Sequence, residues 1–196
     1  MPKQADENLL TTMKRVASVL KRVDVPFALA GGFAAYARGG TSSDHDVDFL
    51  LREQDVDLAL DALAEGGFRT ERPPEDWLVK VYDGEVLVDL IHRPVERPVT
   101  DEILADSTVI RVQAIALPVL SATLLMEHKL LTFSQHRCDF AEALPIARSL
   151  REQIDWDRVR KETVESPYAR TFLILLEMLD LLPVAVSAGL RAEESS

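Results

Sequence analysis

The sequence predicts an α/β fold whose second half is wholly helical. Three observations carry that reading. Short apolar runs punctuated by glycine pairs alternate with helical periodicity as far as about residue 115. An Asp-Gly dipeptide, Asp83-Gly84, separates two strand-like runs and is a strong hairpin signal. From Ser121 onward strand signals vanish and apolar residues recur at three- and four-residue steps. The chain is therefore divided near Pro118, into an α/β core of residues 1–117 and a C-terminal helical region of residues 118–196 packed on it.

In order, Leu9, Leu10, Met13, Val16, Val19, Leu20 and Val23 line one face of an amphipathic helix capped by Asp6 or Asn8. Pro26 breaks it. Phe27 to Ala30 reads as a buried strand ended by Gly31-Gly32, and Phe33 to Arg38 as a short helix closed by Gly39-Gly40. Val47 to Leu51 is a strand and Val56 to Ala64 a helix. Trp77 to Tyr82 and Glu85 to Ile91 form the hairpin, and Thr108 to Ile115 reads as one further strand. Helices follow over Ser121 to Phe133, Cys138 to Leu150, Trp156 to Val164 and Pro167 to Leu182, with Asp155 and Ser166 as caps and Pro145 kinking or dividing the second.

Composition narrows the class. The 196 residues are 47% apolar, enough for a sizeable core and against wholesale disorder. The net charge of −11 does not point to nucleic acid as a partner. The single cysteine, Cys138, excludes an intrachain disulfide and a four-cysteine zinc site, and its apolar-periodic setting predicts a buried thiol. The N-terminus has no apolar signal core, and Glu177, Asp180 and Pro183 interrupt the most apolar stretch, so the protein is expected to be cytoplasmic.

The chemistry concentrates in residues 29–51, LAGGFAAYARGGTSSDHDVDFLL. Side chains alternate across a strand, so Asp46 and Asp48 share one face while Val47 and Phe49 take the other. Carboxylates ~5 Å apart repel by roughly 3 kcal/mol at an effective dielectric of ~20, which calls for a compensating cation. An all-oxygen donor set selects a hard ion such as Mg²⁺. Gly31-Gly32, between a strand and a helix, lets a phosphate approach the backbone. The 13 residues from Gly32 to Asp46 allow a short helix, a turn and a neighbouring strand. Asp44 has the same parity, so Asp44 and Asp46 form an alternative pair; the apolar interleaving by Val47 and Phe49 favours Asp46 and Asp48.

This segment resembles the nucleotidyltransferase superfamily related to DNA polymerase β, whose pattern is Gly-Gly or Gly-Ser, a spacer, then acid-apolar-acid-apolar. Here it reads Ala30-Gly31-Gly32 and Asp46-Val47-Asp48-Phe49. The resemblance implies a nucleotidyltransferase-like mixed sheet with flanking helices, metal on Asp46 and Asp48, and a third acid on a later strand. Asp89, in Val86 to Ile91, matches that third acid.

The helical half is similar to small bacterial nucleotidyltransferases that include abortive-infection-type toxins. By that likeness Lys129 and Asp139 assist the nucleotide, beside Gly31 and Gly32 and the upstream Ser42 and Ser43. The implied reaction moves a nucleoside monophosphate from an NTP, with one or two Mg²⁺ ions, to an acceptor hydroxyl, with Lys129 neutralising charge on the leaving phosphates. A tRNA end is the implied acceptor and an antitoxin the implied protein partner. The acidic composition favours instead a cationic small acceptor of the aminoglycoside type, and a non-catalytic nucleotide-binding module is a further alternative. Arg158 and Lys161, three residues apart, are candidates for a local basic strip. His45, His92, His128 and His136 show no zinc spacing.

Overall fold

A computed structural model describes residues 7–40, 46–112 and 114–182. The first helix, α1 (Glu7–Arg22), buries Leu9, Leu10, Met13, Val16 and Leu20. It is followed by β1 (Phe27–Ala30), α2 (Gly31–Ala37), β2 (Val47–Leu51) and α3 (Val56–Glu65). Next come β3 (Arg69–Glu71), β4 (Leu78–Asp83), β5 (Val86–Ile91), the short α4 (Asp101–Ala105), β6 (Ser107–Val112) and β7 (Ile115–Leu120). The helical half contains α5 (Ala122–Leu131), α6 (Phe140–Leu150), α7 (Trp156–Glu162) and α8 (Pro167–Met178).

The strands form one mixed seven-stranded sheet in the order β3-β4-β5-β2-β1-β7-β6. Strand β2 runs antiparallel to β1 and parallel to β5, and β4 and β5 form the expected hairpin. Asp83 pairs with Val86 across a two-residue turn, and Gly84 has φ +61°, as the first position of a type II′ turn requires. Val79, Val81, Val88 and Leu90 are buried on the sheet face that carries α1 and α3. There Asp83 accepts a hydrogen bond from Thr12 Oγ1 at 2.9 Å and pairs with Arg15, fastening α1 to the hairpin.

A second apolar cluster lies among the helices. Phe133, Phe140 and Phe172 meet at ring-centroid separations of 5.2–6.3 Å, each pair contributing about 0.5–1.5 kcal/mol beyond its buried area. Ala35 of α2 belongs to this second cluster while Phe33 and Ala34 belong to the first, so α2 is wedged between the two halves. Arg38, at the end of α2, donates to the carbonyls of Leu120 (2.6 Å) and Val119 (2.9 Å), and its own carbonyl accepts from Gln153 (2.9 Å).

The structure differs from the sequence reading at several points. The expected strand over Thr108 to Ile115 is a hairpin of two, β6 and β7, and Pro118 lies inside β7 opposite Val109. A proline is tolerated there because β7 meets β1 only at Leu29↔Val119, so few ladder donors are required on that side. The change to helix comes at Ser121, whose Oγ accepts from the Leu124 N–H at 3.1 Å. Pro145 sits within α6 without ending it. Cys138 is exposed rather than buried, because it precedes the cap Asp139 in the loop leading into α6. Asp155 and Ser166 cap α7 and α8 as expected. Among the described residues no helix is long and apolar enough to cross a membrane.

Candidate metal and nucleotide site

Register brings the acids together. Val47 and Phe49 are fully buried, which turns Asp46 and Asp48 to the opposite face of the sheet. Asp48 lies directly opposite Asp89 in the parallel pairing of β2 and β5, and opposite Ala30 in the antiparallel pairing of β1 and β2. Partners in register share a face, so one carboxylate oxygen each from Asp46, Asp48 and Asp89 lies within 4.8 Å of the others. All three residues are half-buried.

Gly31 completes the cluster. It has φ +57°, a conformation costly for residues with a Cβ, and a Cβ there would stand 1.8 Å from Asp48 Oδ2. Glycine at 31 is thus dictated by the carboxylate as much as by the turn. No side-chain hydrogen bond caps α2, which begins at Gly31-Gly32.

The electrostatics record the crowding. Burial, then Asp46 and Asp89, push the Asp48 carboxyl up to about 7, with Lys129 opposing the rise. Burial and Asp46 push Asp89 up to about 6, opposed by Lys80. Asp89 Oδ1 is buried and, among the described residues, has no hydrogen-bond partner. Three converging oxygens, repelling one another and one of them orphaned, fit a hard divalent cation, and among the described residues no nitrogen or sulfur donor joins them.

Lys129, on α5, is close enough to act on Asp48 and is held by Glu142 of α6. Arg137 approaches the same Glu142 at 3.8 Å. Asp139 caps α6, accepting from the Ala141 N–H at 2.9 Å, so its carboxylate serves the helix. Ser42, Ser43, Asp44 and His45 lie outside the described residues. Of the other histidines, His136 is exposed and His92 buried, while burial with Arg97 and Arg158 nearby pushes His128 down to about 4.

Of the expected basic strip of Arg158 and Lys161, Arg158 is neutralised, as is the neighbouring Arg160. Arg158 pairs with buried Glu127 (2.9 Å) and with Asp106 (2.7 Å), and Arg160 with Asp157 and Glu177 (both 3.2 Å). Sequence reasoning missed Lys80, which stands opposite Asp89 across the hairpin. The Asp-Gly turn fixes that register, so counting outward from the turn would have found it.

Comparison with known proteins agrees with this fold. The model of a family described as "Uncharacterised nucleotidyltransferase" matches residues 2–182. No curated protein matches the chain. Among solved structures, the antibiotic-resistance factor ANT(2″)-Ia in solution aligns with a TM-score of 0.61 at 16% identity, covering 89% of this chain and 98% of its own. Its crystal structure in complex with adenylyl-2″-tobramycin aligns with a TM-score of 0.57 at 13% identity, covering 86% and 98%. The lincosamide antibiotic adenylyltransferase LnuA, bound to lincomycin, aligns with a TM-score of 0.51 at 15% identity, covering 74% and 96%.

Proposed function

The chain belongs to the nucleotidyltransferase family whose model it matches, and from that premise we propose that it moves a nucleoside monophosphate from an NTP to the hydroxyl of a small acceptor, releasing pyrophosphate. The observation that carries this reading is the in-register convergence of Asp46, Asp48 and Asp89 against Gly31. These acids would hold one or two divalent ions, Mg²⁺ by the hardness of the donor set, and when bound such ions neutralise phosphate charge and polarise the reacting phosphorus. Gly31 and Gly32 leave the backbone open to the triphosphate. Lys129 exchanges its Glu142 partner for the leaving phosphates. Asp89 either holds a second ion or takes the proton of the acceptor hydroxyl as the hydroxyl oxygen bonds to the α-phosphorus and the bond to pyrophosphate breaks.

A small acceptor is favoured over an RNA end because Arg137, Arg151, Arg158 and Arg160 of the helical half are engaged by carboxylates. A tRNA-end acceptor, with an antitoxin as protein partner, would need those cations to track a phosphate backbone. The test is transfer of label from each of the four α-labelled triphosphates, with Mg²⁺ and either the small-molecule or the RNA fraction of a cell extract. Label entering a small product, lost in Asp48→Asn, supports the reading. Label entering RNA alone would replace the small acceptor with an RNA end. No Mg²⁺-dependent turnover with any triphosphate would leave a non-catalytic nucleotide-binding module.

A further inference from the structure

The acid cluster is one end of a longer row. Reading across the sheet in register, Asp48 of β2 faces Asp89 of β5, Asp89 faces Lys80 of β4, and Lys80 faces Glu71 of β3. All of these side chains therefore share the face that carries the acids. The next rank toward the hairpin turn pairs Leu87 with Tyr82 and Tyr82 with Arg69. The guanidinium of Arg69 stacks over the Tyr82 ring at 3.6 Å and also pairs with Glu71 at 3.0 Å. The helices that pack on β3, β4 and β5, namely α1 and α3, lie on the other face, against Val79, Val81, Val88 and Leu90. Lys80, Tyr82 and Leu87 are accordingly only half-buried, and Arg69 and Glu71 are exposed. Next to the metal site there is thus an open shelf of three strands, two inter-strand spacings or roughly 10 Å across at ~4.8 Å each.

The charge on this shelf is specific. Arg69 is neutralised by Glu71, whereas Lys80 makes no ion pair or hydrogen bond among the described residues. Lys80 stands one strand spacing outward from Asp89, on the side away from Asp48. A ligand whose reacting hydroxyl meets Asp89 from the shelf would place its neighbouring atoms over Lys80. A polycation would meet a like charge there, and a neutral ligand would leave the ammonium no closer partner than Asp89. The narrow width, together with the engaged cations of the helical half, fits one small molecule rather than a tracked strand.

We propose that the shelf of β3, β4 and β5 is the acceptor subsite, and that Lys80 selects a small hydroxyl acceptor carrying an anionic group, of which a sugar phosphate is the simplest chemistry. The stacked Arg69–Tyr82 pair forms its outer wall. This deepens the nucleotidyl-transfer reading and rests on it. A lysine serving only to offset the acids would alter metal affinity without discriminating between acceptors.

Binding separates the two without requiring turnover. The protein is saturated with Mg²⁺ and a non-transferable triphosphate analogue, then titrated with ribose 5-phosphate, with ribose and with kanamycin. Ribose 5-phosphate is expected to bind at least about tenfold more tightly than ribose, since a hydrogen bond to a charged group is worth at least that factor. At saturating Mg²⁺ and analogue, Lys80→Ala should erase the difference and Lys80→Arg restore it, and a change in Mg²⁺ affinity alone, with the ribose 5-phosphate preference kept, overturns the proposal. Equal or undetectable binding of the sugar pair overturns the proposal, as does a preference for kanamycin that grows in Lys80→Ala. Binding of an RNA 3′ end in preference to ribose 5-phosphate overturns the small acceptor. Failure of the transfer reading itself would appear separately, as absence of Mg²⁺-dependent turnover of any triphosphate when acceptors are supplied.

Discussion

Glu127 and Asp48 are both carboxylates withdrawn from water, and the molecule treats them in opposite ways. Glu127, on α5, is buried but answered by Arg158, which also binds Asp106 and so ties α5, α7 and the segment before β6 together. Burial still raises the Glu127 pKa, but Arg158 opposes the rise. Asp48 is half-buried and is surrounded by two further acids, with Lys129 drawn off to Glu142. A buried charge with a partner is a structural joint; breaking one is costly because the survivor is stranded. A group of like charges without a partner is a site prepared for something absent from the polypeptide, and removing one member relieves repulsion.

The strongest way to break this contrast is to neutralise an acid of the site. Asp48→Asn is expected to lower nucleotidyl transfer on the order of a thousandfold, the scale of losing a preorganised electrostatic contact. The metal-free variant should nonetheless be more stable than the parent, by about 1–2 kcal/mol after screening by solvent. A metal-free melting temperature that falls would make Asp48 a structural acid like Glu127. Lys129→Ala should raise the KM for triphosphate, a lost charged contact being worth about 1.5–3 kcal/mol, while thermal stability barely moves. Unchanged KM and turnover would leave the lysine as a simple partner of Glu142.

The opposite response is expected from Arg158→Ala. It strands Glu127, and unfolding in denaturant should show a loss of about 1–3 kcal/mol, reduced from the fully buried case because Arg158 is 40% exposed. Triphosphate affinity should be little changed. Stability within a few tenths of the parent would remove the joint from this account.

pH sharpens the comparison further. Asp48 and Asp89 have folded-state values raised above the ordinary 3.8, to about 7 and about 6. The native state therefore holds their protons more tightly than the unfolded chain does. The stability they contribute is fully present below about pH 4 and is lost as pH rises toward 7. In a chelator, melting temperature should decline across that window from this source, and saturating Mg²⁺ should flatten the decline by replacing the protons. Identical pH profiles with and without Mg²⁺ would show that these acids do not bind the ion.

Much of this was legible in the sequence because it depends on parity and turns. Val47 and Phe49 between the acids fixed which face they share, and Asp83-Gly84 announced the hairpin that carries Asp89. Other features had no local signal. The reversal between β6 and β7 falls near Ala114 without a glycine or proline at its tip, and Pro118 looked like a boundary although it is a strand residue facing Val109. Cys138 was expected to be buried from its apolar neighbours, but the helix begins only after Asp139 and leaves it outside. The pairing of Arg158 with Glu127 is a long-range contact that no spacing rule foretells. Lys80 needed the register between strands, which one strand read alone does not contain.

That register has a consequence for how the chain tolerates change in length. Asp48 and Asp89 meet because β2 and β5 run side by side, not because a fixed number of residues separates them. The connection between them, which includes α3, β3 and β4, can grow or shrink at its exposed bends without moving either acid. A single residue inserted within β5 between Val88 and Asp89 is another matter. It would turn the third carboxylate toward α1 and bring its apolar neighbour into the site. Homologues should therefore differ freely in the distance from the second acid to the third, while keeping the alternation around each.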